Sequence, residues 1–395
     1  MRILMISDVY FPRVNGVSTS ILTFQQELAA QGHEVHIVAP HYPAGHPEEA
    51  HISRIESGYV MLDPEDRLMK SAKIHELTPK FHKHEFDIVH IQTPFLAHYA
   101  GIKLARALDV PTIETYHTFF EEYLYHYVPL LPKFITRRIT RSFSRSQCNS
   151  VNAVIVPSTA MSTVLQQYGC TSPIHIAPTG IQMSKFESGM GSRFRAKHGI
   201  PEDRPLLLHV GRVAHEKNIG FLLNMVARLK VDHPNVLFLI CGEGPAKTDL
   251  EQQVKRMGLV DNVMFVGYLD RETELLDCYR AADVFVFASR TETQGLVLLE
   301  AMALGVAVVS TAVMGTIDIL SPNRGALVAE EDTEDFSAKV SRLLNNRELR
   351  LSIGDEGRRY AETWSAPATA RRVVDIYQGV IDGHGAALEP AVSAS

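Results

Sequence analysis

Cysteine is scarce in this chain of 395 residues: Cys148, Cys170, Cys241 and Cys278 lie scattered, with no Cys-x-x-Cys pair. That argues against a zinc site or a disulfide framework and fits a reducing cytoplasm. Long apolar runs are also missing, and none approaches the roughly 20 residues that cross a bilayer. The opening Met1–Ile6 is too short for a signal-peptide core and reads as a first buried strand. Positive charge is not in excess. With 39 Lys+Arg against 45 Asp+Glu, the formal charge is -6, which argues against a general nucleic-acid binder. Residues 1–185 hold 16 of each sign, so the acidic surplus lies behind them and the front half's cations are free to cluster. No complete Gly-x-Gly-x-x-Gly is present. Gly242-Glu-Gly244-Pro-Ala-Lys247 comes nearest and lacks the third glycine, which disfavours a dinucleotide-dependent oxidoreductase.

What is present is the composition of a soluble globular protein, 45% hydrophobic and 21% charged. The length points to two domains. Short apolar runs alternate with helix-length amphipathic segments, the pattern of parallel α/β sheets. Strands are expected at Arg2–Ile6, Glu34–Val38, Asp87–Ile91, Pro111–Glu114, Ala153–Val156 and Ile174–Ile176. A second series is expected at Leu206–Val210, Val236–Ile240, Val263–Val266, Val284–Phe287, Val306–Val309 and Ala326–Val328. Between them Pro178-Thr-Gly-Ile181 breaks the pattern, and Ser184–Ser192 reads as a linker. The expected organisation is two α/β domains, residues 1–183 and 184–366. A helix over 367–381 is long enough to pack back across the junction, and a disordered Ala-, Pro- and Ser-rich tail is expected over 382–395. Two such domains facing across a cleft bind ligands at strand carboxyl ends, so the chemistry belongs in the loops after strands.

Four loops carry it. Ser7–Val17 follows the first strand and places Gly16 at a helix entrance, where backbone amides can meet a diphosphate; a turn-only glycine is the plainer alternative. His117 lies just past the strand ending near Glu114, where a side chain would face a cleft; His126, amid aromatics, is less favoured. Arg212 and Lys217, in the loop after Leu206–Val210, place two cations before a helix. Last comes Glu292-Thr-Gln-Gly295-Leu-Val-Leu-Leu-Glu300, two carboxylates around a glycine that opens a helix. The helix dipole can account for Glu292 but not for Glu300, which falls mid-helix among apolar residues and needs a polar partner such as a ribose.

Together the Pro12…Asn15-Gly16 loop, His117, Gly211-Arg212…Glu216-Lys217-Asn218, Gly242-Glu-Gly244-Pro245 and the Glu292–Glu300 pair resemble the retaining GT-B glycosyltransferases of family 4. The resemblance runs over nearly the full length and implies two Rossmann-like domains. It implies that Gly16, Arg212, Lys217, Gly295 and Leu296 hold the donor diphosphate. Glu300, Gly242 and Val297 would hold the nucleotide ribose and base. His117 and Glu292 would act on the transferred sugar. Gln182 departs from the aspartate that many relatives carry after Pro-Thr-Gly-Ile. No Asp-x-Asp occurs, and no metal or other cofactor is implied, the nucleotide sugar being a substrate.

The acceptor is read from Lys133–Arg145, which holds Lys133, Arg137, Arg138, Arg141 and Arg145 and no acid. At about 100° per residue these five share one helix face, opposite Ile135, Ile139 and Phe143. The face is either solvated or a docking surface for anionic lipid headgroups, and the aromatic stretch Phe119–Leu131 could touch the interface beside it. Asp8–Ser20 and Tyr116–Tyr127 look like the branch that glycosylates diacylglycerol, near those acting on phosphatidylinositol or building sulfolipid. The resulting expectation is a cytoplasmic, peripheral enzyme on the inner membrane face that moves glucose from UDP-glucose to a lipid. A soluble or polysaccharide acceptor, a sugar-nucleotide epimerase and a non-catalytic sugar-nucleotide binder are the competing readings.

Overall fold

The computed structural model describes residues 1–43, 49–60, 63–117, 119 and 133–388. It divides into two compact units: Met1–Gly180 together with the chain from Ala366 onward, and Ile181–Ser365.

The first unit is built on seven parallel strands in the order β3-β2-β1-β6-β7-β8-β9. These are β1 (Arg2–Ile6), β2 (Glu34–Pro40), β3 (Ile52–Ile55), β6 (Ile88–Ile91), β7 (Thr112–Thr115), β8 (Ala153–Val156) and β9 (Ile174–Ile176). A separate antiparallel hairpin joins β4 (Ser57–Val60) to β5 (Asp63–Met69). The central strands are buried on both faces because helices cover both, so their sequences read as unbroken apolar runs. Ile3, Met5, Ile37, Ile88, Ile113 and Ile155 form one core with Phe24 and Leu28 of the Gly16–Ala30 helix. The same core takes in Ala370, Val373 and Tyr377 of the Ala366–Leu388 helix, so the end of the chain belongs structurally to the first unit.

The second unit has six parallel strands in the order β12-β11-β10-β13-β14-β15. They are β10 (Leu206–Val210), β11 (Leu237–Cys241), β12 (Val263–Gly267), β13 (Val284–Phe287), β14 (Ala307–Ser310) and β15 (Ala326–Val328). Strict alternation sorts β10 and β13 between two cores. Leu206, Leu208, Val210, Phe285 and Phe287 face one helix layer; Leu207, Val284 and Val286 face the other. Each such fully buried side chain contributes about 1.5–3 kcal/mol, which is why these strands dominate the pattern read from sequence. In each sheet the strand order reverses beside the first strand, at β1/β6 and at β10/β13, the position where α/β sheets hold ligands.

Three expectations need correction. The edge strand β3 and the hairpin were not foreseen, because Ile52–Ile55 is short and half-buried and Asp63–Met69 is mostly polar. The stretch expected as a linker is ordered in part, with a 3-10 turn over Met183–Phe186 and a helix over Gly191–Lys197. The tail expected from residue 382 is still helical to Leu388. Gly-Ala-Ala-Leu388 includes strong helix formers.

Candidate active site

In the second unit the loops after β10 and β13 meet where Lys217 Nζ donates to Glu292 Oε2 at 2.7 Å and Arg290 N donates to Glu216 O at 3.3 Å. Their side chains are 19% and 21% exposed, so both reach solvent. The loop after β13 turns at Gly295, whose φ of +99° is left-handed and suits a residue without a Cβ. Gly295 then caps the Leu296–Ala303 helix, and the amides of Leu296 and Val297 open its first turn. Behind this loop sits Gly315, whose amide donates to Glu292 O at 2.8 Å. A Cβ at Gly315 would come within 2.0 Å of Thr293 O, so the two loops pack backbone to backbone. Arg212 is half-buried on the loop after β10. Gly242 is pressed against that same loop: a Cβ there would meet Gly211 O at 2.0 Å, and Gly211 N donates to Cys241 O at 3.0 Å. Gly244 meets Val213 in the same manner. Both glycines therefore let two loops touch.

Glu300 is nearly buried, at 3% exposure. Its polar partners come from within the protein: Arg271 Nη2 donates to Oε1 at 2.5 Å and Tyr279 Oη donates to Oε2 at 2.9 Å. The Glu300 carboxylate raises the Arg271 pKa, while burial, then Glu300, raises Tyr279. The polar partner that Glu300 needs is thus supplied from within the protein, not by a ribose alone. Each carboxylate oxygen still has a second lone pair to offer.

In the first unit His117 lies two residues past β7, and its Nε2 sits 3.0 Å from Gln92 Oε1, just past β6. Desolvation lowers its pKa to about 4, so the imidazole is neutral near pH 7. Gly16 opens its helix behind an Asn15 cap, with Ser18 N donating to Asn15 Oδ1 at 2.8 Å and Asn15 N to Ser18 Oγ at 2.9 Å. Among the described residues outside its own turn, no atom lies within 4 Å of where a Gly16 Cβ would stand, so this first turn is open toward them. Asp8, after β1, accepts from Thr93 Oγ1 at 2.8 Å and from Ala97 N at 3.1 Å, which braces the Leu96–Leu108 helix.

Comparison with known proteins decides the family. The model of Glycosyltransferase Family 4 matches residues 14–185, and that of Glycosyl transferases group 1 matches residues 192–360. An alpha-monoglucosyldiacylglycerol synthase of Streptococcus pneumoniae is 34% identical, over 78% of this chain and 71% of that protein. The chain is a family 4 GT-B glycosyltransferase. It is a hexosyltransferase, and it is related to diacylglycerol glucosyltransferases and to sulfolipid synthase. Sulfoquinovosyl transferase SQD2 of Arabidopsis thaliana is 30% identical over 92% of this chain and 70% of that protein. The fold agrees with that of sucrose-phosphate synthase from Thermosynechococcus elongatus, at a TM-score of 0.76 and 22% identity, covering 97% of this chain and 99% of that one.

The glycosyltransferase treats its basic segment differently from the sequence reading. Lys133–Cys148 is one helix, and Arg137, Arg138, Arg141 and Arg145 are exposed on it; the Lys133 side chain lies outside the described residues. Its buried face is not Ile135, Ile139 and Phe143 but Thr136, Thr140, Ser144 and Gln147. Several of those polar groups find partners where they are buried: Ser144 Oγ pairs with Tyr116 Oη at 2.7 Å, Thr140 Oγ1 donates to Thr136 O at 2.9 Å, and Gln147 Nε2 donates to Pro94 O, while Gln147 Oε1 is left without a partner among the described residues. Ile139 is left 50% exposed and Phe134 72% exposed among the arginines. The aromatic stretch expected to touch an interface, His126 included, lies outside the described residues apart from Phe119. Among the described residues, no helix is long and apolar enough to cross a membrane.

Arg271, Tyr279, Gln92 and His90 belong to the two sites and were not singled out from sequence. Gln92 and Arg271 share the signal that found the others, since each stands within a few residues of a strand's carboxyl end.

Proposed function

We propose that this glycosyltransferase moves glucose from UDP-glucose to diacylglycerol, with retention of configuration, while docked peripherally on the anionic cytoplasmic face of the cell membrane. The observation that carries the lipid acceptor is the Lys133–Cys148 helix, which buries threonine, serine and glutamine and presents four arginines with Phe134 and Ile139. A helix packed only for stability would bury its phenylalanines and isoleucines; this one keeps Phe134 and Ile139 outside, where headgroup and acyl boundary would take them. Each arginine near an anionic surface contributes about 1 kcal/mol. The pneumococcal relative is named for an α-glucosyl group on diacylglycerol, which supports the same donor sugar and acceptor here.

In this reading Lys217, Arg212 and the amides of Gly295 and Leu296 stabilise the leaving diphosphate, with Gly16 leaving room for its approach. Preorganised donors of this kind are worth several kcal/mol in the transition state. Glu300, held by Arg271 and Tyr279, accepts from the ribose hydroxyls, while Gly242 and Val297 flank the nucleoside. Glu292 and His117 act on the transferred sugar.

The test is incubation with a panel of UDP- and GDP-sugars and a membrane lipid extract, followed by mass spectrometry of the lipids, alongside vesicle flotation. Hexosylated diacylglycerol from UDP-glucose is expected, and flotation should require anionic lipid. Neutralising Arg137, Arg138, Arg141 and Arg145 should abolish flotation. Product on a soluble acceptor alone, or epimerised UDP-sugar without acceptor, would replace this reading.

A further inference from the structure

Behind His117 lies a hydrogen-bonded chain of four further side chains, all nearly or fully buried. His117 Nε2 is 3.0 Å from Gln92 Oε1, and Gln92 Nε2 is 3.1 Å from His90 Nδ1. The same His90 Nδ1 lies 2.6 Å from Tyr377 Oη, and His90 Nε2 lies 2.7 Å from Thr115 Oγ1. His90, Gln92, Thr115 and Tyr377 are 2%, 1%, 6% and 0% exposed. None of these four carries a charge: burial lowers His90 to about 3, and burial pushes the Tyr377 phenol far up.

A neutral chain of this kind sets proton positions. An amide oxygen only accepts and an amide nitrogen only donates. Gln92 Oε1 therefore requires a proton on His117 Nε2, which leaves Nδ1 of the neutral ring as its acceptor nitrogen. Gln92 Nε2 requires a lone pair on His90 Nδ1, so His90 carries its proton on Nε2 and donates to Thr115. Tyr377 Oη, the nearer donor at 2.6 Å, shares that single lone pair with Gln92 Nε2 at 3.1 Å. Turning the Gln92 amide over would reverse both histidines, and Tyr377 could accommodate that only by becoming an acceptor.

We propose that Gln92, His90 and Tyr377 are positioning residues that hold His117 in its Nε2–H tautomer and aim Nδ1 as an acceptor for a hydroxyl of the transferred sugar. The aim at the sugar rests on the role given to His117 above; the tautomer does not. Tyr377 brings the C-terminal Ala366–Leu388 helix into this machinery, a part no loop motif would include.

Protein labelled with 15N-histidine, read by two-bond 15N–1H correlation and assigned with His117→Gln and His90→Gln, tests this directly. The wild type should show Nε2–H at both positions. Gln92→Met should give mixed tautomers at His117 and lower kcat by about a hundredfold, with donor KM within about twofold. Gln92→Glu is the second arm should Gln92→Met fail to fold. Its carboxylate keeps an acceptor toward His117 but must accept from His90, so His90 should switch to Nδ1–H while His117 stays Nε2–H. An Nδ1–H tautomer at wild-type His117, or a His90 signal unmoved in Gln92→Glu, overturns the proposal. Altered His117 tautomers with full turnover would uphold the positioning and overturn only the contact between His117 and the sugar.

Discussion

Lys217 Nζ and Glu292 Oε2 stand 2.7 Å apart, and this contact joins the loops that leave the two strands flanking the switch point of the second sheet. Being partly exposed, such a pair holds less than about 1 kcal/mol of stability. In the proposed reading its value lies in fixing a cation and a carboxylate before the donor arrives. Lys217→Met and Glu292→Gln should each leave Tm within a few degrees of wild type. Each should lower turnover by about a hundredfold or more. Initial rates beside thermal melts check this, and near-normal transfer by either variant removes that residue from the chemistry.

Glu300 behaves in the opposite way, because it is buried between Arg271 and Tyr279. Tyr279→Phe removes one hydrogen bond to a charged acceptor and should cost about 1.5–3 kcal/mol. Glu300→Ala also strands Arg271 and should cost about 3–5 kcal/mol. Urea unfolding of the three proteins gives the ranking. Equal stability for all three would contradict the geometry.

Two glycines separate binding from folding. A Cβ on Gly315 would meet Thr293 O at 2.0 Å, whereas one on Gly16 meets nothing within 4 Å among the described residues outside its own turn. Gly315→Ala should therefore displace the Glu292–Gly295 loop, costing about 1–3 kcal/mol and much of the donor affinity. Gly16→Ala should leave stability unchanged or raise it by up to about 1 kcal/mol, yet slow transfer by crowding the open first turn. Isothermal titration with UDP-glucose, together with melts, distinguishes them; full activity in Gly16→Ala would leave that glycine only its turn.

Stability should fall below neutral pH. Burial, the largest cause in each case, lowers His36, His117 and His209 to about 4 and His90 to about 3. Their unfolded value is near 6.5, so between about 6.5 and 4 the unfolded chain binds more protons and gains on the folded one. Each histidine adds a slope of about 1.4 kcal/mol per pH unit inside that window. Glu114 opposes this, since burial raises it and the folded state then holds its proton. One carboxyl does not offset four imidazoles. Melts should be flat above pH 7 and decline steadily from pH 6.5 to 4.5; a Tm constant down to pH 5 would contradict these burials.

The sheets were legible because their central strands are apolar on both faces, as Leu206–Val210 and Val284–Phe287 show. Strand β3 and the hairpin beside it were not, since Ile52–Ile55 is half-buried and Asp63–Met69 is largely polar. Loop residues such as Lys217, Glu292 and His117 stood out by position, just after strands. What sequence could not disclose was pairing at a distance. Arg271 precedes Glu300 by 29 residues, and Tyr377 lies 287 residues beyond His90. The Lys133–Cys148 helix misled for a chemical reason: the Thr140 and Ser144 hydroxyls and the Gln147 amide nitrogen find partners inside, so hydrophobicity no longer marked the buried face.

The most direct measurement is proton NMR of the lipid formed from UDP-glucose and diacylglycerol in anionic vesicles. Retaining transfer predicts a single hexose on the glycerol hydroxyl, with the small anomeric coupling of an α-glucoside. A β-glucoside, or vesicle lipid that stays unglycosylated while UDP-glucose is consumed, would contradict it.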